Sequence, residues 1–349
     1  MSRMAILFAF GSAALFGLST PAAKILLGAV HPAMLAGLFY CGAGLGVAAL
    51  RLLRTGRTRT REVALGRRDV PWLVGSVISG GVAGPLLLMI GLAHTQAATA
   101  SLLLAFEGAA TVLIAWLFFR ESYGLRLMLG MACLAAGAAT LAWSGPPTLN
   151  AVAGPLAVIG ACFSWALDNN LTRKISLADP LQIVEIKGLV AGPVNLALGF
   201  WAGGLIPPLA TSLLAAAVGF VAYGVSLVLF VLALRELGAA RTSAYFATAP
   251  FMGALAAVFA LGDPMTVQLA GAGALMAIGV WLHLTERHQH EHVHKAMEHA
   301  HLHVHDEHHQ HRHQPSDRPG EPHDHPHDHE PLTHAHAHTP DPHHRHRHA

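Results

Sequence analysis

Apolar stretches recur ten times within the first 284 residues, and this feature constrains the fold more than any other. A membrane-crossing helix needs about 20 mostly apolar residues, because backbone polar groups cannot stay unpaired in hydrocarbon. The sequence therefore predicts an all-α integral membrane protein with ten transmembrane helices. The predicted spans 1 to 10 cover residues 4–28, 32–52, 70–92, 96–119, 125–143, 152–173, 182–203, 209–233, 239–261 and 264–284.

Charged residues are sparse in this part of the chain, with 16 Lys and Arg and 9 Asp and Glu in residues 1–284. A soluble domain normally has a surface that is about a quarter to a third charged, so lipid is the predicted surrounding. The arginines lie mainly in one short stretch without interleaved aromatic residues, which argues against a nucleic-acid partner. Cys41, Cys133 and Cys162 lie singly in apolar runs and are interpreted as core residues.

The distribution of basic residues predicts the orientation. With ten spans, alternate connections between spans lie on the same side of the membrane as the two termini. Fourteen of the 16 Lys and Arg, including the run from Arg51 to Arg68, fall on that side. The positive-inside rule makes this side cytoplasmic, with both termini inside and the N-terminal stretch as an uncleaved first span. We expect a multi-pass protein of the bacterial inner membrane. Lys24 and Lys187 are expected to reach toward the nearest interface.

A weak internal repeat divides the spans into two sets of five. Leu92, Ala98 and Ser101 match Leu234, Ala240 and Ser243 at an offset of 142 residues. Because five crossings reverse the direction of the chain, the two halves must be inverted relative to each other. Inverted repeats are typical of secondary transporters. The predicted units are residues 1–143, residues 144–284 and a tail of residues 285–349.

Several short motifs resemble the EamA family of the drug/metabolite transporter superfamily. These are Phe118-Phe119-Arg120-Glu121 at the end of span 4, an aromatic residue, a small residue and then a basic residue in spans 1 and 6, Phe106-Glu107-Gly108, and the segment from Asp168 to Lys174. The resemblance covers essentially residues 1–284. It implies a ten-helix bundle with a central cavity, alternating access and export of small solutes, with cargo that varies widely across the family.

Ionisable residues at membrane depth are functional candidates, because they are costly there unless paired or hydrated. Glu107 lies near the middle of span 4 and Asp168 lies one to two turns from the inner end of span 6. Spacing of i, i+4 places neighbouring hydroxyls on the same helix faces as these acids. The predicted transport-pathway residues are Glu107, Asp168, Asn169, Asn170, Thr111, Thr172 and Ser164.

Other interpretations of these groups stay open. The two acids could pair with arginines of the bundle or with amides such as Asn195. Glu185 and Lys187 are interpreted as solvated residues close to the inner interface, and His94 with Gln96 as part of an outer turn. Pro250 in span 9 predicts a kink that frees backbone carbonyls.

The tail holds 23 of the 26 histidines, often at alternate positions, and its prolines and low apolar content predict disorder. Imidazole binds Ni, Co, Zn and Cu, so the tail is predicted to bind divalent transition metal ions rather than to serve only as a pH-sensitive polar segment. Histidine-rich tails of bacterial nickel, cobalt and zinc exporters resemble it. The predicted ligands are His288, His290, His292, His294, His301, His303, His305, His323, His325, His327, His329, His334, His336 and His338.

Together these features predict a secondary active exporter of Ni or Co, with Zn as a further candidate, driven by proton antiport. The alternative is an amino-acid or small-metabolite exporter whose tail only buffers or senses metal. A membrane-anchored metal-storage protein is a third interpretation, but storage explains neither the repeat nor the buried acids. No nucleotide-binding loop is present and no cofactor is expected to be required. A homodimer is left open.

Overall fold

Helices are the only regular secondary structure in the described part of residues 1–284. The computed structural model describes residues 3–54, 65–119, 124–143, 149–175, 179–237, 242, 245–285, 288–294, 297–303, 323–329 and 332–338. Within these residues, nine helices are long and apolar enough to cross a membrane, which confirms the predicted all-α architecture. The predicted span 9 is described as the shorter apolar helix Ala249–Leu261, because part of its first half lies outside the described residues.

The helices follow the predicted spans in order. Span 1 comprises α1 (Arg3–Gly17) and α2 (Ser19–Leu27), span 2 is α3 (Pro32–Arg54), and span 3 comprises α4 (Val70–Ser76), a π-helix (Val77–Ala83) and α5 (Gly84–Ala93). Span 4 comprises α6 (Ala97–Leu103) and α7 (Phe106–Phe119), span 5 is α8 (Leu125–Ala142), span 6 is α9 (Leu149–Thr172), followed by a 3₁₀ turn (Arg173–Ile175), and span 7 is α10 (Pro180–Trp201). Span 8 comprises α11 (Leu209–Gly219), a π-helix (Phe220–Val225) and α12 (Ser226–Leu237), span 9 comprises α13 (Ala249–Ala256) and a π-helix (Ala257–Leu261), and span 10 is α14 (Val267–Leu284).

Spans 3 and 8 share a local irregularity. Each changes from α-helix to π-helix and back, at Val77–Ala83 and at Phe220–Val225. The two segments are separated by the same offset of 142 residues, to within one residue, at which the two halves match in sequence. A π-turn leaves backbone carbonyls that other groups can use, and it is frequent at functional sites.

Glycines bring the helices of the bundle into backbone contact. A Cβ at Gly42 would lie 2.0 Å from the carbonyl oxygen of Ala216 in span 8, and a Cβ at Gly44 would lie 2.7 Å from the amide nitrogen of Leu189 in span 7. A Cβ at Gly46 would lie 2.0 Å from the ring of Phe220. Gly42 and Gly46, which are four residues apart, thus form a packing surface of span 2 against span 8.

The apolar residues divide between the bundle interior and its surface. Phe39, Leu88 and Leu103 are at most 1% exposed in the core, whereas Phe259 is 82% and Val267 is 91% exposed. Large apolar side chains at such exposure would be unfavourable in water. They are the expected surface of a protein whose surrounding is the lipid bilayer.

The tail contains four short strands: β1 (His288–His294), β2 (Met297–His303), β3 (His323–His329) and β4 (Leu332–His338). β1 pairs with β4 and β2 with β3, both antiparallel. The alternation of histidine with other residues has the two-residue period of a strand.

The glycine contacts predict the effect of adding one methyl group. Gly42→Ala should lower the free energy of unfolding by about 1–3 kcal/mol, because the Cβ overlaps a backbone oxygen that belongs to another helix. Gly271→Ala is the matched control, since no atom lies within 4 Å of its Cβ and alanine favours helix. Thermal unfolding in detergent would show the difference, and equal behaviour of the two variants would contradict the packing argument.

Candidate functional site

Glu107 begins the second part of span 4. The helix is interrupted at Leu104 and Ala105, and α7 starts at Phe106, so that Glu107 lies in the first turn of α7. This position is favourable for a carboxylate because the N-terminus of a helix carries a partial positive charge. The side chain is half-buried, and a Cβ at Gly108 would meet no atom within 4 Å. The bundle therefore encloses the Glu107 side chain only in part.

Amides of span 6 face this acid. Asn169 Nδ2 donates to Glu107 Oε1 at 2.9 Å and lies 3.4 Å from the hydroxyl oxygen of Thr111. Asn170 Nδ2 donates to the carbonyl oxygens of Thr111 and Ala166 at 3.2 and 2.9 Å. The structure thus brings together four predicted pathway residues: Glu107, Thr111, Asn169 and Asn170. The partner of Glu107 in this cluster is a neutral amide.

Asp168 has a different environment. Its two carboxylate oxygens each accept from Lys187 Nζ at 2.7 Å, and Thr172 Oγ1 donates to it at 2.9 Å. The hydroxyl of Ser76 in span 3 completes the set. The carboxylate lies against the backbone of Gly80, where a Cβ would be 1.8 Å from Oδ2. Asp168 is 8% exposed, so this is a buried ion pair that joins spans 3, 6 and 7.

These contacts differ from the sequence prediction in two respects. Lys187 was expected to be solvated near the interface, but its side chain is 15% exposed and paired with Asp168. The ion pair outweighs solvation because a buried carboxylate at this depth needs a counter-charge. Ser164 was grouped with Asp168 and Thr172, yet it lies half-buried one turn away and is not among the partners of Asp168 described here. Glu185 pairs with Arg51 at the arginine-rich end of the bundle.

The π-helix of span 3 is held by side chains that the sequence analysis did not select for this purpose. Tyr40 Oη and Trp165 Nε1 both donate to the carbonyl oxygen of Gly80, at 2.7 and 3.0 Å. Asn195 Nδ2 donates to the carbonyl oxygen of Gly81 at 2.9 Å. Asn195 was an open candidate to pair with an acid, and it instead caps this backbone. A π-helix cannot be read from a single sequence, so these partners carried no signal.

Aromatic residues gather near the same depth. Tyr223, in the π-helix of span 8, has ring contacts of 5.7 Å to Phe16, 6.0 Å to Phe39 and 5.7 Å to Tyr40. Phe16 also contacts Phe246 of span 9 at 5.4 Å. Phe16, Tyr223 and Phe246 are only half-buried. The aromatic-small pattern in span 1 was the only signal for this cluster.

At the end of the bundle opposite the arginine-rich end, two charged side chains bind backbone groups. Lys24 Nζ donates to the carbonyl oxygens of Leu92 and Thr95 at 2.6 and 2.7 Å. Asp263 Oδ2 accepts from the amide nitrogen of Ala98 at 2.8 Å. Lys24 therefore caps the end of span 3, and Asp263 caps the start of span 4. We call the end of the bundle that contains His94 the His94 end.

A cavity of about 370 Å³ opens at the His94 end. Its lining comes from the turn between spans 3 and 4 and from the adjoining ends of spans 5, 6 and 10. The lining residues are His94, Thr95, Gln96, Thr99, Leu141, Pro155, Thr266, Gln268 and Leu269. The turn with His94 and Gln96 thus lines a polar cavity.

Metal-ligand chemistry divides between the body and the tail. Within the part of the chain whose side chains are described, no three His, Cys, Asp or Glu side chains converge on one point. In the tail, the strand registers pair His288 with His338, His290 with His336 and His292 with His334. The second strand pair places His299, His301 and His303 opposite His327, His325 and His323. His305 lies outside the described residues.

Directly paired residues of antiparallel strands share a face of the ladder, and alternate residues share it too. Each strand pair therefore presents a row of histidine positions on one face. Imidazole donors in such numbers fit the chemistry of Ni, Co or Zn. The tail positions of the sequence prediction are consistent with metal binding, which stays a prediction.

Comparison with known proteins decides the family. The model of the EamA-like transporter family matches residues 3–143 and 152–285, one match for each half of the body. The chain belongs to the EamA-like transporter family. It is a multi-pass membrane protein of a family of transporters rather than enzymes, so its neighbours are lipid and small solutes. The Phe118-Phe119-Arg120-Glu121 motif of the predicted resemblance lies at the edge of the described residues, and its side chains are outside them.

Relatives support the same conclusion. An uncharacterized transporter of Methanothermobacter thermautotrophicus is 30% identical over 282 residues, which cover 76% of this chain and 82% of that protein. The uncharacterized transporter YvbV of Bacillus subtilis is 26% identical, with 79% and 90% covered. A solved crystal structure with 21% identity matches 81% of this chain and 99% of its own with a TM-score of 0.58, which supports the fold alone.

The ion pair predicts a double-mutant cycle. Asp168→Asn and Lys187→Met should each lower the free energy of unfolding by about 3–5 kcal/mol, because each leaves one buried charge without its partner. The double variant should be markedly less destabilised than the sum of the two single variants. Chemical or thermal unfolding in detergent measures all four corners. Additive effects would contradict a buried, mutually compensating pair.

Proposed function

We propose that the protein is a secondary active exporter of a small organic solute that carries a protonated amino group, driven by exchange for protons at Glu107. The observation that supports this proposal is the difference between the two membrane acids. Asp168 is neutralised by Lys187, whereas among the described residues the side-chain partner of Glu107 is the neutral amide of Asn169. Glu107 is thus the acid available to a cationic group of the cargo.

The surroundings of Glu107 suit an organic cation. An ammonium group can pair with the carboxylate, while the half-buried rings of Phe16 and Tyr223 offer aromatic faces and apolar contact area to the remainder of the solute. Amide and hydroxyl groups of Asn169 and Thr111 add hydrogen bonds. Small-molecule sites commonly combine an apolar, aromatic lining with a few directed polar groups of this kind.

A single carboxylate also accounts for exchange. Glu107 can hold a proton or balance the ammonium group of the solute, but the two compete for the same negative charge. A solute that leaves on one side would be replaced by a proton from that side, and the proton would be released on the other. Proton antiport by this scheme needs no second acid. It is compatible with the ion pairing of Asp168.

Export of a divalent metal is the second candidate, and the histidine rows of the tail favour it. Ni²⁺, Co²⁺ or Zn²⁺ would meet one uncompensated carboxylate at mid-span, together with neutral oxygen donors. Transition-metal sites usually supply several His, Cys or carboxylate ligands. We therefore assign the tail to metal capture or sensing from the cytoplasm, with organic export as the main activity of the body. Placement of both termini in the cytoplasm and of the protein in a bacterial inner membrane belongs to the same proposal.

Glu107→Gln tests the exchange step. In proteoliposomes with a pH gradient, uptake or release of labelled amines, amino acids, Ni²⁺, Co²⁺ and Zn²⁺ would be compared between the wild type and the variant. Glu107→Gln should reduce proton-coupled transport of an amine at least a hundredfold, because a neutral amide cannot hold a proton or an ammonium charge. Glu185→Gln is the matched control at the arginine-rich end and should retain transport. Proton-coupled amine flux through Glu107→Gln at the wild-type rate would refute the proposal.

Removal of residues 286–349 separates the tail from the body. The truncated protein should lose most of its Ni²⁺ binding in equilibrium dialysis, since 23 of the 26 histidines are removed, yet keep amine transport in proteoliposomes. Metal flux in the same vesicles decides the second candidate. If Ni²⁺, Co²⁺ or Zn²⁺ moves in a Glu107-dependent manner and no amine does, metal is the cargo.

A further inference from the structure

The cavity at the His94 end has no place yet in the proposed mechanism. We propose that it is a second compartment of the solute pathway, and that a single buried layer formed by Leu103 and Cys162 separates it from Glu107. This proposal rests on the proposed function for the identity of the solute. Its geometry can be tested without any solute.

On span 4, the residue that lines the cavity lies near the same helix face as Glu107. Thr99, Leu103, Glu107 and Thr111 follow each other at intervals of four residues, so they lie near one face of the span, which is interrupted only at Leu104 and Ala105. Thr99 lines the cavity, and Glu107 is half-buried. Leu103, which lies between them, is 0% exposed.

Span 6 has its residues in the same order: one that lines the cavity, one that is buried and one that contacts Glu107. Pro155 lines the cavity, Cys162 is fully buried, and Asn169 contacts Glu107. Cys162 Sγ lies 3.5 Å from the carbonyl oxygen of Leu103, so the two residues meet. Both spans run in the same direction from the His94 end. Between spans 4 and 6, the polar cavity is thus followed by one buried layer and then by the polar residues around Glu107.

The interruption of span 4 lies directly below the closed layer. Leu103 ends α6 and Phe106 begins α7, with Leu104 and Ala105 in a turn. A helix that is already interrupted can change direction at that point without breaking further hydrogen bonds of a continuous helix. Leu103 can therefore move relative to Glu107 when the two compartments connect.

The chemistry of the cavity differs from that of the Glu107 compartment. Its polar lining consists of hydroxyl, amide and imidazole groups, and contains no carboxylate among the nine lining residues. The hydroxyl oxygen of Thr95 is buried and has no hydrogen-bond partner in the described structure. Lys24 and Asp263 nearby are engaged with backbone groups of the same turn. The cavity suits neutral hydrogen-bonding groups of a solute and holds an ammonium group less strongly than Glu107 does, as expected of a release compartment.

Thiol labelling of the detergent-purified full-length protein tests this arrangement. Cys41→Ser and Cys133→Ser remove the other two cysteines, which are half-buried, so that Cys162 is the remaining thiol. With a polar maleimide, Cys162 should react at least tenfold more slowly than a thiol introduced by Thr99→Cys in a background that also carries Cys162→Ser. Leu103→Ala should raise the rate at Cys162 at least tenfold, because it removes one side of the layer.

Leu134→Ala is the matched control, since Leu134 is equally buried but packs between spans 5 and 10. It should leave the labelling rate at Cys162 unchanged. Leu103→Val serves if Leu103→Ala does not fold, with a smaller increase expected. A rate at Cys162 equal to that at the introduced thiol, no increase on shortening Leu103, or an equal increase in Leu134→Ala would each overturn the proposal.

Transport assays keep the two proposals distinguishable. Thr99→Trp fills the cavity and should slow export of the amine at least tenfold, with the Glu185→Gln variant again as the transport-competent reference. If Glu107→Gln still exports while the labelling results hold, the proposed function fails and the compartment stands. If Glu107→Gln stops export while Leu103→Ala leaves Cys162 unreactive, the compartment fails and the proposed function stands.

Discussion

Close backbone contact between helices is the constraint on which the rest of this structure depends. Apolar side chains gain little by leaving lipid for one another, so helices in a bilayer associate where their backbones can approach and pack closely. Gly42 against Ala216 and Gly44 against Gly188 provide this approach for span 2, and Gly91 against Gly154 provides it for span 3. At Gly80 the absence of a side chain does more than permit contact. It gives the Asp168 carboxylate its place against the backbone.

The two acids of the bundle show how one fold assigns different roles to the same functional group. Asp168 belongs to a closed set of partners drawn from three spans, and it holds those spans together. Glu107 lies half-buried at a helix start, and its described side-chain partner is a neutral amide. A transporter needs both a stable scaffold and a group whose partner can change. The environments of the two acids are adjacent, because Asp168 is followed in sequence by Asn169, the hydrogen-bond partner of Glu107.

Much of this architecture was predictable from sequence, for definite physical reasons. Span positions follow from the length of apolar runs, and Glu107 and Asp168 stand out because acids are rare at membrane depth. The connection of Asp168 to Lys187 was not predictable, because Lys187 lies in another span and close to a predicted interface. The π-helices could not be predicted, because a single sequence does not show where the backbone hydrogen bonds change register. Tyr40 and Trp165, which donate to the π-helix of span 3, could therefore not be identified either.

The pairing of Asp168 with Lys187 has an electrical consequence. A charge that moves through the full membrane field exchanges about 2.3 kcal/mol with it for each 100 mV, whereas a neutral pair that moves as a unit experiences no net force. Asp168 and Lys187 can therefore travel with their helices at any voltage. Among the described mid-span residues, Glu107 is the acid without a basic partner. Under the proposed exchange mechanism, the voltage dependence of transport would therefore arise from the proton or ammonium group that Glu107 holds.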